Sequence, residues 1–152
     1  MKNNYFHITL FFLISNFICL NALSIEQFNF DVTEIEILEK GNIVKGTKKG
    51  TVTTNEGILI SANEFEYDKK NNVLKARGDV KFEDKEKNYL IFSDEINYFK
   101  NIEKIKTFGN SKTIYENNKV IEANQFEYDI YDNIIKARGD VKFEDKEKNY
   151  LI

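Results

Sequence analysis

The sequence contains no proline and no tryptophan, and it has one cysteine, Cys19, and one histidine, His7. Both residues lie within the first 24 positions, so residues 25–152 contain no thiol and no imidazole. Disulfide bonds, thiol nucleophiles, Ser–His–Asp triads and zinc sites built from cysteine or histidine are therefore excluded for that part of the chain.

Glycine is also scarce, with seven residues. The spacings GxGxxG and GxxxxGK, which cradle phosphate groups, do not occur, and neither does the carboxylate spacing of an EF-hand calcium loop. The 22 basic and 25 acidic residues give a net charge of −3, and no stripe of lysine and arginine stands unopposed. This composition disfavours nucleic-acid binding through phosphates, and we expect no cofactor and no metal.

The first 24 residues have the composition of a secretory signal peptide. Lys2 precedes an apolar run from Tyr5 to Leu20, and the small residues Ala22 and Ser24 follow it. The run is shorter than the about 20 residues that a membrane span needs. We expect residues 1–24 to be removed during export, and an uncleaved membrane anchor is the alternative.

The most informative feature of the remaining chain is an internal repeat. Residues 60–91 recur almost intact at residues 121–152, and Lys75–Ile91 is identical to Lys136–Ile152. A fainter copy lies between them, so the true period is 30 or 31 residues, as Gly78, Gly109 and Gly139 show. Such a period is typical of one supersecondary unit stacked on itself.

Each repeat alternates apolar and polar residues between clusters of asparagine, aspartate and glycine. From Leu74 to Phe82 every second side chain is apolar or small, and the intervening ones are charged. Period-2 alternation with one apolar face predicts half-buried antiparallel strands. The clusters predict tight turns at 40–42, 55–57, 68–72, 84–88, 101–104, 116–118, 129–133 and 145–149.

Each predicted strand is interrupted at its centre. Gly50, Gly78, Gly109 and Gly139 mark odd segments, and Asn63, Asp94 and Asn124 mark even ones, where the alternation slips by one residue. Such a slip is typical of a bulge or corner. We predict that each long strand bends there and contributes one half to each of two facing sheets. A flat meander or an ordinary sandwich is the alternative.

Two sets of side chains are candidates for function. The carboxylates of Glu64–Asp68, Glu83–Asp84 and Glu144–Asp145 could form an acid–base pair, but their interleaving with lysine favours a solvated face. The aromatic residues Phe65, Tyr67, Phe82, Tyr98, Phe126, Tyr128 and Phe143 recur on the inward face. They are either the closed core of the stack or the lining of a groove for a long apolar ligand.

The repeat motif resembles the OstA-like (LptA-like) family. Ala62–Tyr67 followed by Leu74–Val80, and Ala123–Tyr128 followed by Gly139–Val141, follow the family pattern, although Asn63 and Asn124 replace its usual aspartate. The family includes the lipopolysaccharide-transport proteins LptA and LptC and the N-terminal domain of the assembly protein LptD. The opening segment Phe28–Ile37 after the signal is most similar to that LptD domain.

The resemblance implies an all-β, folded-over antiparallel sheet of stacked bent hairpins (a β-taco or jelly roll) over residues 25–152. It implies that this sheet binds lipopolysaccharide in an apolar groove, in the periplasm or at the periplasmic face of the outer membrane. Other Lpt proteins would be partners through edge-strand stacking. The predicted groove-lining residues are Leu74, Val80, Phe82, Ile91, Ile96, Tyr98, Ile121, Phe126, Tyr128, Ile135, Val141 and Phe143.

Two alternatives to an LptD-like domain remain from the sequence. One is a soluble LptA-like bridge, and the other is a structural β-repeat protein with a closed core and no lipid. The second copy of the repeat stops at Ile152, where the first copy continues from Ile91 into Phe92. We therefore expect the chain to end within a strand, as a fragment would. In none of these interpretations is the protein an enzyme.

Overall fold

The computed structural model describes residues 27–116, 118–147 and 150–151, so the predicted signal peptide lies outside the described residues. Within these ranges, thirteen strands form one antiparallel sheet. They are β1 (Phe28–Leu38), β2 (Ile43–Thr54), β3 (Leu59–Ala62), β4 (Glu64–Asp68), β5 (Val73–Asp84), β6 (Tyr89–Phe99), β7 (Lys104–Phe108), β8 (Ser111–Tyr115), β9 (Lys119–Ala123), β10 (Gln125–Asp129), β11 (Ile134–Arg138), β12 (Lys142–Asp145) and β13 (Tyr150–Leu151). Short 3₁₀ turns at Glu39–Gly41 and Lys100–Ile102 join neighbouring strands.

The sheet is folded along a line that crosses the middle of its long strands. The first half of β5 pairs with β4 and its second half pairs with β3, while β6 is shared in the same way between β8 and β7. Two half-sheets result. The first half-sheet contains β3, β8, β9, β12 and β13, the second contains β4, β7, β10 and β11, and β1, β2, β5 and β6 contribute to both. The folded-over sheet predicted from the alternation is confirmed.

The fold line is built from a repeated asparagine–aspartate pair beside a glycine. Asn63 Nδ2 donates a hydrogen bond to Asp79 Oδ2 at 3.2 Å. Gly78, between the two half-strands, has φ +76°, and a Cβ atom there would lie 2.7 Å from Asn63 Nδ2. Glycine is therefore required by both its backbone angle and the close approach of the asparagine. The last repeat forms the same pair between Asn124 and Asp140.

The middle repeat forms this pair with the two residue types exchanged. Asn110 Nδ2 donates to Asp94 Oδ2 at 2.8 Å, and Gly109 has φ +74°. Each of these three corners thus combines one amide with one carboxylate, which satisfies a donor and an acceptor without placing two negative charges together. The predicted positions of the corners are confirmed at Gly78, Gly109 and Gly139.

The inward faces of the two half-sheets form continuous apolar rows across the strands, because residues paired directly across antiparallel strands point to the same face. One row crosses the second half-sheet at Ile37, Val44, Tyr67, Leu74, Tyr98, Ile105, Tyr128 and Ile135. A corresponding row, apolar except for Thr113, crosses the first half-sheet at Phe30, Val52, Ile60, Phe82, Ile91, Thr113, Ile121 and Phe143.

The outward faces carry cross-strand ion pairs. On the second half-sheet, Glu66 lies 3.5 Å from Lys45 and 3.8 Å from Lys75, and Lys106 pairs with Glu127 at 3.5 Å. Exposed pairs of this kind contribute about 0–1 kcal/mol each, so the fold is stabilised chiefly by its interior. Over the described part of the chain, no helix has the length and apolar character needed to cross a membrane.

Candidate functional site

The interior between the two half-sheets is the candidate site, because it contains the apolar rows and nearly all the predicted groove residues. Eight of those predicted residues are almost completely inaccessible to solvent: Leu74, Val80, Phe82, Ile91, Ile96, Tyr98, Phe126 and Tyr128. Three are half-buried, namely Ile121, Ile135 and Phe143. Val141 is 50% exposed. The inward orientation of the set follows the predicted alternation, and its role in ligand binding stays a prediction.

Three tyrosines contribute their rings to the interior and their hydroxyls to the turns that follow. Tyr67 donates to Asn72 Oδ1 at 2.7 Å, Tyr98 donates to Glu103, and Tyr128 donates to Asn133 Oδ1 at 3.1 Å. Burial is the main cause that raises the pKa of all three phenols above the ordinary value. The hydroxyls therefore stay protonated and act as donors that anchor the turns.

The hairpin turns at the strand ends farthest from the fold line, which we call the lips, bring the two half-sheets into contact. Lys100, in the turn after β6, pairs with Glu56 at 3.0 Å across the interior, and it also pairs with Glu103 in its own turn. The Lys100 side chain is only 8% exposed. Further along, Lys87 Nζ donates to the carbonyl of Ile130. These contacts hold the edges of the two half-sheets together.

The contact between Glu56 and Lys100, which we call the clasp, favours the ionised form of the Glu56 carboxylate. Burial raises the pKa of Glu56, but the hydrogen bond from Lys100, a backbone bond, the Thr54 hydroxyl and the Lys100 charge together outweigh it and hold the pKa below its ordinary value. Aromatic rings add apolar contacts between the two lips. The ring centroids of Tyr89 and Tyr128 lie 4.7 Å apart, and those of Phe28 and Tyr98 lie 5.7 Å apart.

The interior opens at the β1 end in a cleft of about 380 Å³. Its apolar walls are Phe28, Phe30, Ile35, Ile37, Val44 and Tyr67. Ile35 and Ile37 are 56% and 64% exposed although they continue the inward rows. Gln27, Asn29, Lys69 and Asn72 line the rest of the cleft. The volume is within the range of about 300–1,000 Å³ that is usual for ligand pockets.

Of the cleft residues, sequence reasoning named only Tyr67 as a possible groove residue. The signal was present, because Phe28, Phe30 and Val32 alternate, and the pattern resumes one residue out of phase at Ile35 and Ile37. The structure shows the cause, a register shift between Val32 and Glu34 where β1 crosses the fold line. Within the described residues β1 pairs only with β2, which leaves this end of the rows exposed.

Among the described residues, the opposite end of the interior is also uncovered. There β11 pairs only with β10, which leaves Ile135 and Ala137 partly buried against the core. Val141, just before β12, is half exposed. The inward rows therefore reach solvent at both ends of the stack, while they are sealed at its centre.

Most of the carboxylates considered as an acid–base pair have structural partners. Glu83 lies on the outward face and pairs with Lys81 at 3.1 Å. Asp84 is buried and accepts a hydrogen bond from the backbone N–H of Lys87 at 3.1 Å, which closes the turn after β5. In the described ranges no group of three or more histidine, cysteine, aspartate or glutamate side chains is placed to hold a metal ion.

Comparison with solved structures identifies the fold. The crystal structure of LptH, the LptA-homologous periplasmic component of the conserved lipopolysaccharide transport device of Pseudomonas aeruginosa, matches with a TM-score of 0.69. The match covers 77% of this chain and 93% of that one, at 17% sequence identity. The chain has the LptH fold. No protein-family model matches the chain, and no curated protein matches it.

The LptH-like fold explains why the repeats must bend at their centres. A flat sheet of these strands would leave one apolar face in water, whereas folding each long strand at its corner buries that face against itself. The same construction leaves the rows open wherever a terminal strand lacks a neighbour, which is where the structure has its apolar cleft.

Proposed function

We propose that the protein binds lipopolysaccharide by its acyl chains in the interior of the folded sheet and takes part in its transport across the periplasm. The observation that carries the proposal is the pair of continuous inward apolar rows that reach solvent at both ends. The similarity to a periplasmic component of a lipopolysaccharide transport device supports the same conclusion. Binding rather than catalysis is the proposed activity.

The energetics suit this function. Burial of an acyl chain contributes about 0.8 kcal/mol per methylene group, so a chain of twelve carbons gains about 9 kcal/mol on leaving water. The polar contacts between the lips are worth far less, since a partly exposed ion pair contributes about 0–1 kcal/mol and a hydrogen bond about 0.5–1.5 kcal/mol. A bound chain can therefore offset the cost of separating Glu56 from Lys100 and Lys87 from the Ile130 carbonyl.

Two roles within transport fit the proposal. A bridge protein of the LptA type is supported by the extent of the structural match, which covers 93% of LptH. The N-terminal domain of an LptD-like protein is favoured by the opening segment Phe28–Ile37. Reading the coding sequence beyond codon 152 separates them, because a barrel-length continuation belongs to the LptD role.

A structural repeat protein without a ligand is the second candidate function. The observation that favours it is the complete burial of Phe82, Tyr98, Phe126 and Tyr128, each 0% exposed. A core that stays sealed would bind no lipid, and the inward rows would then serve only stability.

Displacement of an apolar fluorescent dye by lipopolysaccharide distinguishes the two functions. The purified protein is expected to bind the dye, and lipopolysaccharide is expected to displace it. Ile37→Glu places a charge on the inward row and should weaken binding, while Glu36→Gln, on the adjacent outward position, should not. Absence of dye binding by a folded protein, or equal effects of both variants, would support the sealed core instead.

A further inference from the structure

The middle repeat differs from its neighbours by carrying hydroxyl groups on the inward face. Four of them, on Ser93, Thr107, Ser111 and Thr113, are at most 6% exposed. At the positions of Thr107, Ser111 and Thr113, the preceding copy has apolar side chains, as does the following one. Those equivalents are Ala76, Val80 and Phe82 before, and Ala137, Val141 and Phe143 after.

Three of the four hydroxyls have structural partners. Thr107 Oγ1 accepts the backbone N–H of Phe126 at 2.8 Å and shares a hydrogen bond of 2.6 Å with Ser111. Ser111 Oγ also lies 3.2 Å from the carbonyl oxygen of Gly109, and Ser93 Oγ is within 3.0 Å of the carbonyl of Phe108. These bonds satisfy backbone groups near the corner of the middle repeat, so the three hydroxyls are explained by the fold.

Thr113 is different because its hydroxyl has no partner. Its side chain is 0% exposed, and Thr113 Oγ1 is among the buried side-chain oxygens of the described residues that make no hydrogen bond. A buried hydroxyl without a partner costs free energy, and valine would fill nearly the same space without that cost. The fold alone therefore gives no reason for a hydroxyl at this position.

The surroundings of Thr113 limit what could satisfy it. Its cross-strand neighbours on the inward face are Ile91 and Ile121, and Ser111 lies two residues before it on the same face of β8. A charged group would lose its hydration among these apolar side chains, which is unfavourable without a counter-charge. A neutral oxygen attached to an apolar chain would lose little hydration and could bond the free hydroxyl.

We propose that Thr113 forms a specificity site in the middle of the interior that binds an oxygen substituent on an acyl chain. This inference rests on the proposed function, since it assumes that acyl chains enter between the half-sheets. The substituent is either a hydroxyl on the chain or the carbonyl of an ester, which share the ability to bond Thr113 Oγ1. The chain on either side of that oxygen packs against the inward rows.

Competition binding with defined acyl chains tests the inference. A fluorescent fatty acid is bound to the purified protein and displaced by tetradecanoic acid, by its isomers with a hydroxyl near the carboxyl end, at mid-chain or near the methyl end, and by its methyl ester. We expect one oxygenated chain to bind about threefold to tenfold more tightly than its matched unsubstituted chain, as one hydrogen bond would give. Preference for a hydroxylated isomer or for the ester distinguishes the two sources of the oxygen.

Three variants give the test its controls. Thr113→Val should bind the oxygenated and the unsubstituted chain about equally tightly. Thr113→Ser keeps the hydroxyl and should retain the preference for the oxygenated chain. Thr54→Val removes another buried hydroxyl, which accepts the N–H of Ile58 at 3.3 Å and also bonds Glu56 at the lips. Whatever its effect on overall affinity, this variant should leave the ratio of affinities among the chains unchanged. Thr113→Val should melt no lower than the native protein, because it removes an unsatisfied group, whereas Thr54→Val should melt lower.

Several results would overturn the inference. A native protein without preference among the chains would do so, as would a preference that survives Thr113→Val. A loss of melting temperature in Thr113→Val as large as that in Thr54→Val would show that the hydroxyl is already bonded in the empty protein. If none of the chains displaces the probe, the proposed function fails together with the inference.

Discussion

The exchange of asparagine and aspartate between corners predicts a specific double-mutant result. Asn63 bonds Asp79 in the first copy, while Asp94 accepts from Asn110 in the middle one. Asn63→Asp would place two carboxylates about where the amide and the carboxylate now lie, 3.2 Å apart. Adding Asp79→Asn would recreate the arrangement that the middle repeat already uses.

The magnitude follows from the separation and the exposure. At 3.2 Å, two like charges repel by about 1 kcal/mol in a water-like dielectric and by about 5 kcal/mol at an effective dielectric constant of 20. The pair is exposed, so we take a value near the lower limit and add the lost hydrogen bond. The single variant should lose about 2 kcal/mol and melt about 5 °C lower. The double variant should return to within about 0.5 kcal/mol of the native protein.

The assay is thermal and urea unfolding at low and at high salt. It compares the native protein with both single variants and with the double variant. The coupling should shrink at high salt, because exposed charges are screened. A double variant as unstable as Asn63→Asp would refute the argument, since the loss would then come from the corner backbone rather than from the two charges. A loss that does not change with salt would refute it too.

Three further predictions concern the clasp and the corners. Because the pKa of Glu56 is held low, its contribution to stability is present above its unfolded pKa and lost as pH falls through the folded pKa. Glu56→Gln should therefore flatten the acid side of a melting-temperature profile, and an unchanged profile would contradict this. Gly78→Ala should lower the free energy of unfolding by about 1–3 kcal/mol, which is more than Gly57→Ala should. Both glycines have positive φ, but only at Gly78 would a Cβ meet a neighbour at 2.7 Å. Equal losses of the two variants in urea unfolding would argue against the close approach. Lys100→Met should lower stability by about 1–2 kcal/mol, because it removes two ion pairs at once, with Glu56 and Glu103, whose side chains are 56% and 33% exposed. Lys106→Met, at a side chain 42% exposed, loses one ion pair and should change stability by less than about 1 kcal/mol. Similar melting temperatures for the two variants would contradict a stabilising contact of Lys100 between the lips.

Local sequence pattern was sufficient to predict the strands, turns and corners of this fold. The turn clusters around Gly41, Gly57 and Asn72 lie between strands, as predicted. The one-residue slip around Asp94 predicted the point where β6 passes from one half-sheet to the other. These features depend on backbone angles and on period-2 alternation, which are encoded within a few residues of each position.

The site was predictable only in part, because its limits depend on contacts between distant segments. Alternation placed Phe82 and Val141 on the same face, but only the neighbours of each strand make the first inaccessible and the second half exposed. The pairing of Glu56 with Lys100 joins turns of different half-sheets, and nothing in either turn indicates it. The missing partner of Thr113 likewise depends on what surrounds it in three dimensions.

Site-specific photocrosslinking in cells tests the central claim most directly. A benzophenone amino acid at Ile37, at the β1 end of an inward row, or at Val141, two residues before Phe143 at the other end, should give adducts with lipopolysaccharide. Both positions tolerate a large side chain because they are exposed. The neighbouring outward positions Glu36 and Lys142 should give none. Adducts at both inward positions and at neither outward one are the predicted result. Equal labelling at all four positions, or none at either inward position of a folded and exported protein, would contradict a lipid-carrying interior.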